Sequence, residues 1–244
     1  MDPIISTLSQ SFGNYWWCWL LAPVIAYLLG SINPAILVTK IATKGRQDIR
    51  KMGSGNAGFT NVLRSVGKVP AIITIVCDAL KCVIAVIIGG LLFSMIPSSG
   101  DSAVHKEMIS NCGKYLAGIF CILGHSFPLY FHFKGGKGVV SAAALMLTED
   151  WRVFLLVLGT FLILFLLTKI ISVGSIAGAV LYGPHTFIAT FFFDRIPYGN
   201  ELSIGYVVLS TCAALIIGVF VTVKHKENIQ RLLRGEEKKI TAKK

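Results

Sequence analysis

The sequence predicts an all-α integral membrane protein with seven transmembrane segments, one of them short, and with cytoplasmic active-site loops. Three observations lead there. The 244-residue chain is 54% hydrophobic and only 14% charged, and its mean hydropathy of +0.71 lies far from that of an ordinary soluble domain. Its apolar runs match the roughly 20 residues of helix needed to cross a bilayer. Between them lie four polar, glycine-rich islands, at 48–64, 124–138, 172–175 and 225–236.

Taken in order, the chain opens Met1-Asp2-Pro3 with no basic n-region and no small-residue cleavage site after the apolar stretch. Residues 16–39 are therefore read as a first spanning helix rather than a signal peptide. Further spans follow at 69–93, 113–131, 152–168, 171–193 and 202–223. The stretch Val139–Leu147 is too short to span alone and reads as a half-helix, turned back by Glu149-Asp150-Trp151. Irregular backbone at membrane depth is tolerated only where it lines a protein-enclosed or wet cavity, so this segment points to a site.

Lysine and arginine counts set the orientation. Residues 40–68 carry seven basic residues against one acid, and the tail from Lys224 carries eight against three. The loops at 94–112 and 194–201 carry few. An odd number of crossings then puts Met1 and Gly100 outside and Thr241 in the cytoplasm. Trp16, Trp17, Trp19 and Trp151 gather at the outer interface as an aromatic belt, and all four islands fall on the cytoplasmic side. The net charge of +11 matches this bias plus attraction to anionic membrane lipid. No basic face with interleaved aromatics lies outside the membrane, so nucleic acid is not an expected partner. With no repeat or linker, residues 1–244 form one domain. The six cysteines form no CxxC pair or metal-ligand spacing and read as buried free thiols.

The islands suit phosphate. Bare backbone N–H groups and cations satisfy phosphate oxygens with little steric demand. In Gly53–Asn61, Asn56, Thr60 and Asn61 can donate and Ser54 can do both, while Arg50 and Arg64 flank the segment. Arg64 offers a bidentate fork to a phosphate dianion. Lys134-Gly135-Gly136-Lys137-Gly138 invites comparison with a nucleotide-binding loop. The comparison fails, because Phe131 stands where the first glycine belongs and Gly138 where Ser or Thr belongs. His225 and Asn228 share a helix face and can converge on one ligand. His125 is read as a structural hydrogen-bonding residue or a catalytic one. No His-x4-Asp pair and no Gly-x-Ser-x-Gly elbow occurs, so cations and donors are present without an obvious base.

These residues resemble the bacterial PlsY family, the acyl-phosphate:glycerol-3-phosphate acyltransferases. The matching segments run in order from Gly30-Ser31-Ile32 through Asp48-Ile49-Arg50, Gly53-Ser54-Gly55-Asn56, Thr60-Asn61-Val62-Leu63-Arg64, Asp78…Lys81, Gly124-His125…Pro128, Phe133–Val139 and Ser172…Ser175 to His225…Asn228…Arg231…Gly235-Glu236. Asn33, Phe59, Cys82 and Ser141 depart from the family pattern. The resemblance implies transfer of a fatty acyl group from acyl phosphate to the 1-hydroxyl of glycerol 3-phosphate, giving lysophosphatidic acid at the bacterial inner membrane. It implies no acyl-CoA, nucleotide or metal; no cofactor is expected, and a monomer is expected without the sequence fixing the oligomeric state. By motif position it implies glycerol-3-phosphate contacts at Ser54, Arg64, Lys137, Ser175, His225 and Asn228. Acyl-phosphate contacts fall at Gly55, Asn56, Gly58, Thr60 and Asn61, with Gly135 and Gly136 also binding substrate. A donor phosphate oxygen can take the hydroxyl proton, which leaves open whether His225 holds phosphate or acts as base. An organic-phosphate transporter would share the anion pocket, but it usually shows paired broken helices in two related halves.

Overall fold

The structure, a computed structural model, describes residues 2–98 and 102–239. Gly100 and Thr241, the two positions used above to mark opposite sides of the membrane, lie outside the described residues. Among those residues every regular element is helical. The longer helices are α1 (Pro3–Asn14), α2 (Trp16–Ser31), α3 (Pro34–Ala42), α4 (Phe59–Ser65), α5 (Lys68–Ser94), α6 (Ala103–Ser126), α7 (Val139–Glu149), α8 (Trp151–Thr168) and α9 (Ile171–Ile188). A π-turn at Ala189–Arg195 and the single turn α10 (Ile196–Tyr198) lead to α11 (Ile204–Lys224) and α12 (Lys226–Leu233).

Five stretches are long and apolar enough to cross a membrane: Trp16–Ala42, Lys68–Ser94, Trp151–Thr168, Ile171–Arg195 and Ile204–Lys224. The short apolar helix α7 is present as expected, and Asp150 turns it into α8 by capping that helix through Arg152 N at 2.9 Å.

Four features differ from the sequence reading. The first span is not one helix over 16–39. It breaks after Ser31, because the residue before Pro34 is disfavoured in helical geometry, and Asn33 restarts the chain by accepting from Ile36 N at 3.1 Å. In place of the span expected at 113–131 stands a helix that begins ten residues earlier, at Ala103, and ends at Ser126; it is not among the five stretches above. Its polar first half hid it: His105 pairs with Thr7 and Asn111 with the Tyr206 hydroxyl, so these residues are buried by protein instead of marking a loop. Third, α1 was not foreseen. It buries Ile4 and Leu8, and Asp2 ties it to α11 through Ser203 Oγ at 2.6 Å and Gly205 N at 3.0 Å. Fourth, only Trp16 and Trp151 of the four tryptophans are well exposed. Trp19 packs inward, edge-on to Phe93 and bonded to Ser11 Oγ.

Helix α6 packs against α2, α5, α7 and α11, and α9 lies between α8 and α11. All six cysteines are free; Cys18, Cys82 and Cys121 are buried, whereas Cys77 and Cys212 are exposed on spanning helices. The up-and-down connectivity brings the starts of α5, α7 and α9 and the ends of α6, α8 and α11 to one end of the bundle. That end carries the four islands.

Candidate active site

The islands converge on one cavity of about 1370 Å³. Its lining includes all thirteen candidate residues: Ser54, Gly55, Asn56, Gly58, Thr60, Asn61, Arg64, Gly135, Gly136, Lys137, Ser175, His225 and Asn228. Lys134 is exposed and stands outside the lining.

The first island is shaped by Asn61. Its amide nitrogen faces the carbonyls of Ile49, Met52 and Asn56 at 3.1, 2.9 and 3.0 Å, and its Oδ1 accepts from Ser54 N at 3.1 Å. Asn61 was expected to touch substrate. Its side chain also folds the loop that presents Ser54 and Asn56. Gly53, at φ +55°, lies against Asn61 Oδ1, where a Cβ would collide. Arg50, read above as flanking an anion site, is held elsewhere. It pairs with Asp48 at 2.6 Å and donates to Phe131 O at 2.9 Å, which pins the first island to the second. Arg64, at the end of α4, keeps an exposed guanidinium with one long bond, 3.4 Å, to Lys238 O.

Lys137 and the start of α12 line the same cavity as Arg64. Lys137 Nζ donates to Asn228 Oδ1. Asn228 Nδ2 donates to Glu237 Oε1 at 2.6 Å, Ser172 Oγ reaches the same oxygen at 2.8 Å, and Arg231 Nε donates to Oε2 at 2.6 Å. Glu237 was missed by the sequence reading, which singled out Glu236. The signal was present in Gly235. With φ +70° it ends α12 in a Schellman turn, Gly235 N to Leu232 O and Glu236 N to Arg231 O, which throws the following residue back over the helix.

Four helices open on the cavity without a side-chain cap: α4 after Gly58, α7 after Gly138, α9 after Ile170 and α12 after His225. Uncapped N-termini leave amide hydrogens free and carry partial positive charge, so they attract anions. By contrast α1, α3, α6, α8 and α11 are each capped by a side chain at their start.

Burial sets the charge states. Lys137 is lowered to about 8, first by desolvation and then by the Arg231 cation. It stays mostly charged at neutral pH. His225 is lowered to about 4, again chiefly by desolvation, so its ring is neutral. Its Nδ1 lies 2.7 Å from Val221 O, a carbonyl that can only accept; Nδ1 therefore carries the proton and Nε2 is left as an acceptor. Burial pushes the Glu237 carboxyl up, but its bonds to Arg231, Asn228 and Ser172 outweigh this and hold it below the usual range.

Behind this polar mouth the cavity is apolar. Ala142, Ala143 and Met146 of α7, Phe154 and Val157 of α8, Ala179 and Tyr182 of α9 and Ile217 of α11 line it. At about 1370 Å³ it exceeds the roughly 300–1,000 Å³ usual for a small-molecule site. It has room for an anionic headgroup and an attached hydrocarbon. Of the departures from the family pattern, Phe59 lines the cavity, Asn33 caps α3, and Cys82 Sγ lies 3.1 Å from Ser141 O.

Comparison with known proteins agrees with this geometry. A glycerol-3-phosphate acyltransferase from Francisella tularensis subsp. mediasiatica is 37% identical over 217 residues, covering 89% of this chain and 90% of that protein. One from Thermoanaerobacter pseudethanolicus is 35% identical over 221 residues, covering 91% and 95%. The crystal structure of PlsY (YgiH), an integral membrane glycerol 3-phosphate acyltransferase, matches in its glycerol 3-phosphate form with a TM-score of 0.70 at 32% identity, over 91% of this chain and 95% of that one. Its lysophosphatidic acid form matches with a TM-score of 0.69 at 31% identity over the same shares. Residues 20–235 match the profile described as glycerol-3-phosphate acyltransferase, and the chain belongs to that family.

Proposed function

We propose that this membrane protein transfers a fatty acyl group from acyl phosphate to the 1-hydroxyl of glycerol 3-phosphate, yielding lysophosphatidic acid and inorganic phosphate. The observation that carries this reading is a single cavity whose mouth joins Arg64, Lys137, Asn228 and two α9 serines and whose interior is apolar. The names of its relatives support the acceptor. The donor rests on chemistry. Acyl phosphate is a mixed anhydride with a good leaving group, so the protein need only position the reactants and offset charge. The acceptor oxygen bonds to the acyl carbon, the acyl–phosphate bond breaks, and the hydroxyl proton leaves with the phosphate.

In this reading Arg64, Lys137 and the α9 N-terminus with Ser175 hold the glycerol phosphate. Gly55, Asn56, Gly58 and Thr60 face the acyl phosphate, with Gly135 and Gly136 beside them. Asn61 and Glu237 orient these groups. His225 Nε2 accepts from the attacking hydroxyl; a ring lowered to about 4 is too weak a base to keep the proton, which passes to a donor phosphate oxygen. Purified protein given labelled glycerol 3-phosphate is expected to form lysophosphatidic acid with acyl phosphate and none with acyl-CoA. Equal use of acyl-CoA would overturn the donor assignment.

The protein is further proposed to act as a monomer in the bacterial inner membrane, with seven crossings when α6 and the short α7 are counted, N-terminus outside and C-terminus inside. The Lys/Arg asymmetry of its loops supports this orientation. In a cysteine-free background, a cysteine at Ser98 is expected to react with an impermeant thiol reagent in intact cells, and one at Lys239 to react only after lysis. The reverse pattern would put the cavity mouth on the wrong face for cytoplasmic glycerol 3-phosphate.

A further inference from the structure

Below the glycine loop lies a buried ionic cluster outside the proposed substrate contacts. Asp78 and Lys81 sit one turn apart on α5 and His125 lies at the end of α6; they are 1%, 6% and 4% exposed. Lys81 Nζ is 2.8 Å from Asp78 Oδ1, 3.0 Å from Gly30 O and 2.6 Å from Ile32 O. Those carbonyls flank the break between α2 and α3, so Lys81 satisfies acceptors freed by the Asn33-Pro34 interruption. Its three hydrogens match these three oxygens. His125 Nδ1, 3.1 Å from Asp78 Oδ1 and 3.0 Å from Lys81 Nζ, then carries its own proton and donates to Asp78. That assignment leaves Nε2 unprotonated on the far side of the ring.

The far side meets the loop. Gly136 N donates to His125 O at 3.1 Å. A Cβ on Gly136 would collide with His125 Nε2 and, at 2.7 Å, with Ala57 O, and one on Gly135 would collide with His125 O. The loop carrying Lys137 is thus seated on His125 and pressed against the first island, with no space for a side chain at either glycine.

We propose that His125, oriented by Asp78 and Lys81, is a positioning residue that holds the Gly135–Lys137 loop so that Lys137 Nζ reaches the substrate phosphate. This rests on the acyltransferase reading above. The cluster also couples the broken first span to the site, because the ammonium that completes the helix break also fixes the carboxylate that fixes the histidine.

A double-mutant cycle tests it. His125→Leu is expected to raise KM for glycerol 3-phosphate and lower kcat/KM at least tenfold in the otherwise native protein. In a Lys137→Ala background the same change should alter the residual kcat/KM less than twofold, since the group being positioned is gone. His125→Asn, whose amide can still donate to Asp78, should restore part of the loss. A merely structural role predicts the same fold-loss in both backgrounds and no rescue, and either result would overturn the proposal. If His125→Leu fails to fold, Gly136→Ala displaces the loop from the other side and enters the same cycle with the same criterion. Failure of the native protein to use glycerol 3-phosphate would sink the acyltransferase reading itself, whereas an active native protein with an additive cycle would sink only the positioning role.

Discussion

Replacing Lys137 by Ala is expected to lower turnover roughly 10²- to 10³-fold while the protein still inserts and keeps its thermal midpoint. The magnitude is that of removing one preorganised donor from a developing or bound anion. The neighbouring Lys134 does not take its place, because it is exposed and outside the cavity. The same residue sets a pH limit. Its ammonium is lowered to about 8 by burial and the nearby Arg231. The charged form therefore dominates below that pH and is lost above it, and kcat/KM should fall on an alkaline limb starting near 8. Lys137→Arg, ionised throughout this range, should be less active at neutral pH but lack that limb. Wild-type turnover in the purified Ala variant, or an unchanged limb in the Arg variant, would remove Lys137 from the chemistry.

His225→Asn is expected to lower kcat roughly ten- to a hundredfold with KM for glycerol 3-phosphate nearly unchanged. That is the loss of one hydrogen bond of about 1–3 kcal/mol that orients the attacking hydroxyl. The expectation follows from a neutral ring whose Nδ1–H is held by Val221 O, leaving only an acceptor for the cavity. Two other outcomes have distinct meanings. A rise in KM rescued by more glycerol 3-phosphate would make His225 a phosphate contact. A thousandfold or greater fall in kcat at constant KM would make it the general base. Because its ionisation lies near 4, no acid limb from His225 should appear between pH 6 and 8 in either case.

That the candidate residues line one cavity follows from the chain's pattern, because they are residue types that bind anions, set in islands that interrupt apolar runs. The site's internal order does not follow from it. Both Asn56 and Asn61 line the cavity, but nothing local shows that Asn61 also folds the loop by meeting the carbonyls of Ile49, Met52 and Asn56 in three dimensions. Glu237 could have been found from Gly235, since a glycine that ends a helix turns the chain back on it. Arg50 and Arg64 look alike in sequence. One is neutralised by Asp48 two residues away, and the other is left exposed beside the cavity.

What the sequence determined by itself is the membrane body. The spans expected at 69–93, 152–168 and 202–223 appear as Lys68–Ser94, Trp151–Thr168 and Ile204–Lys224. In lipid a helix satisfies its own backbone, so length and apolarity suffice to define it. What the tertiary structure decided is every element whose polar groups are satisfied by distant partners. The polar half of α6 is helical because Thr7 and Tyr206 complete His105 and Asn111. The first span can break at Asn33 because Lys81, 49 residues beyond Ile32, takes the freed carbonyl. A buried polar group costs free energy until it is bonded, and only the folded chain brings such partners together.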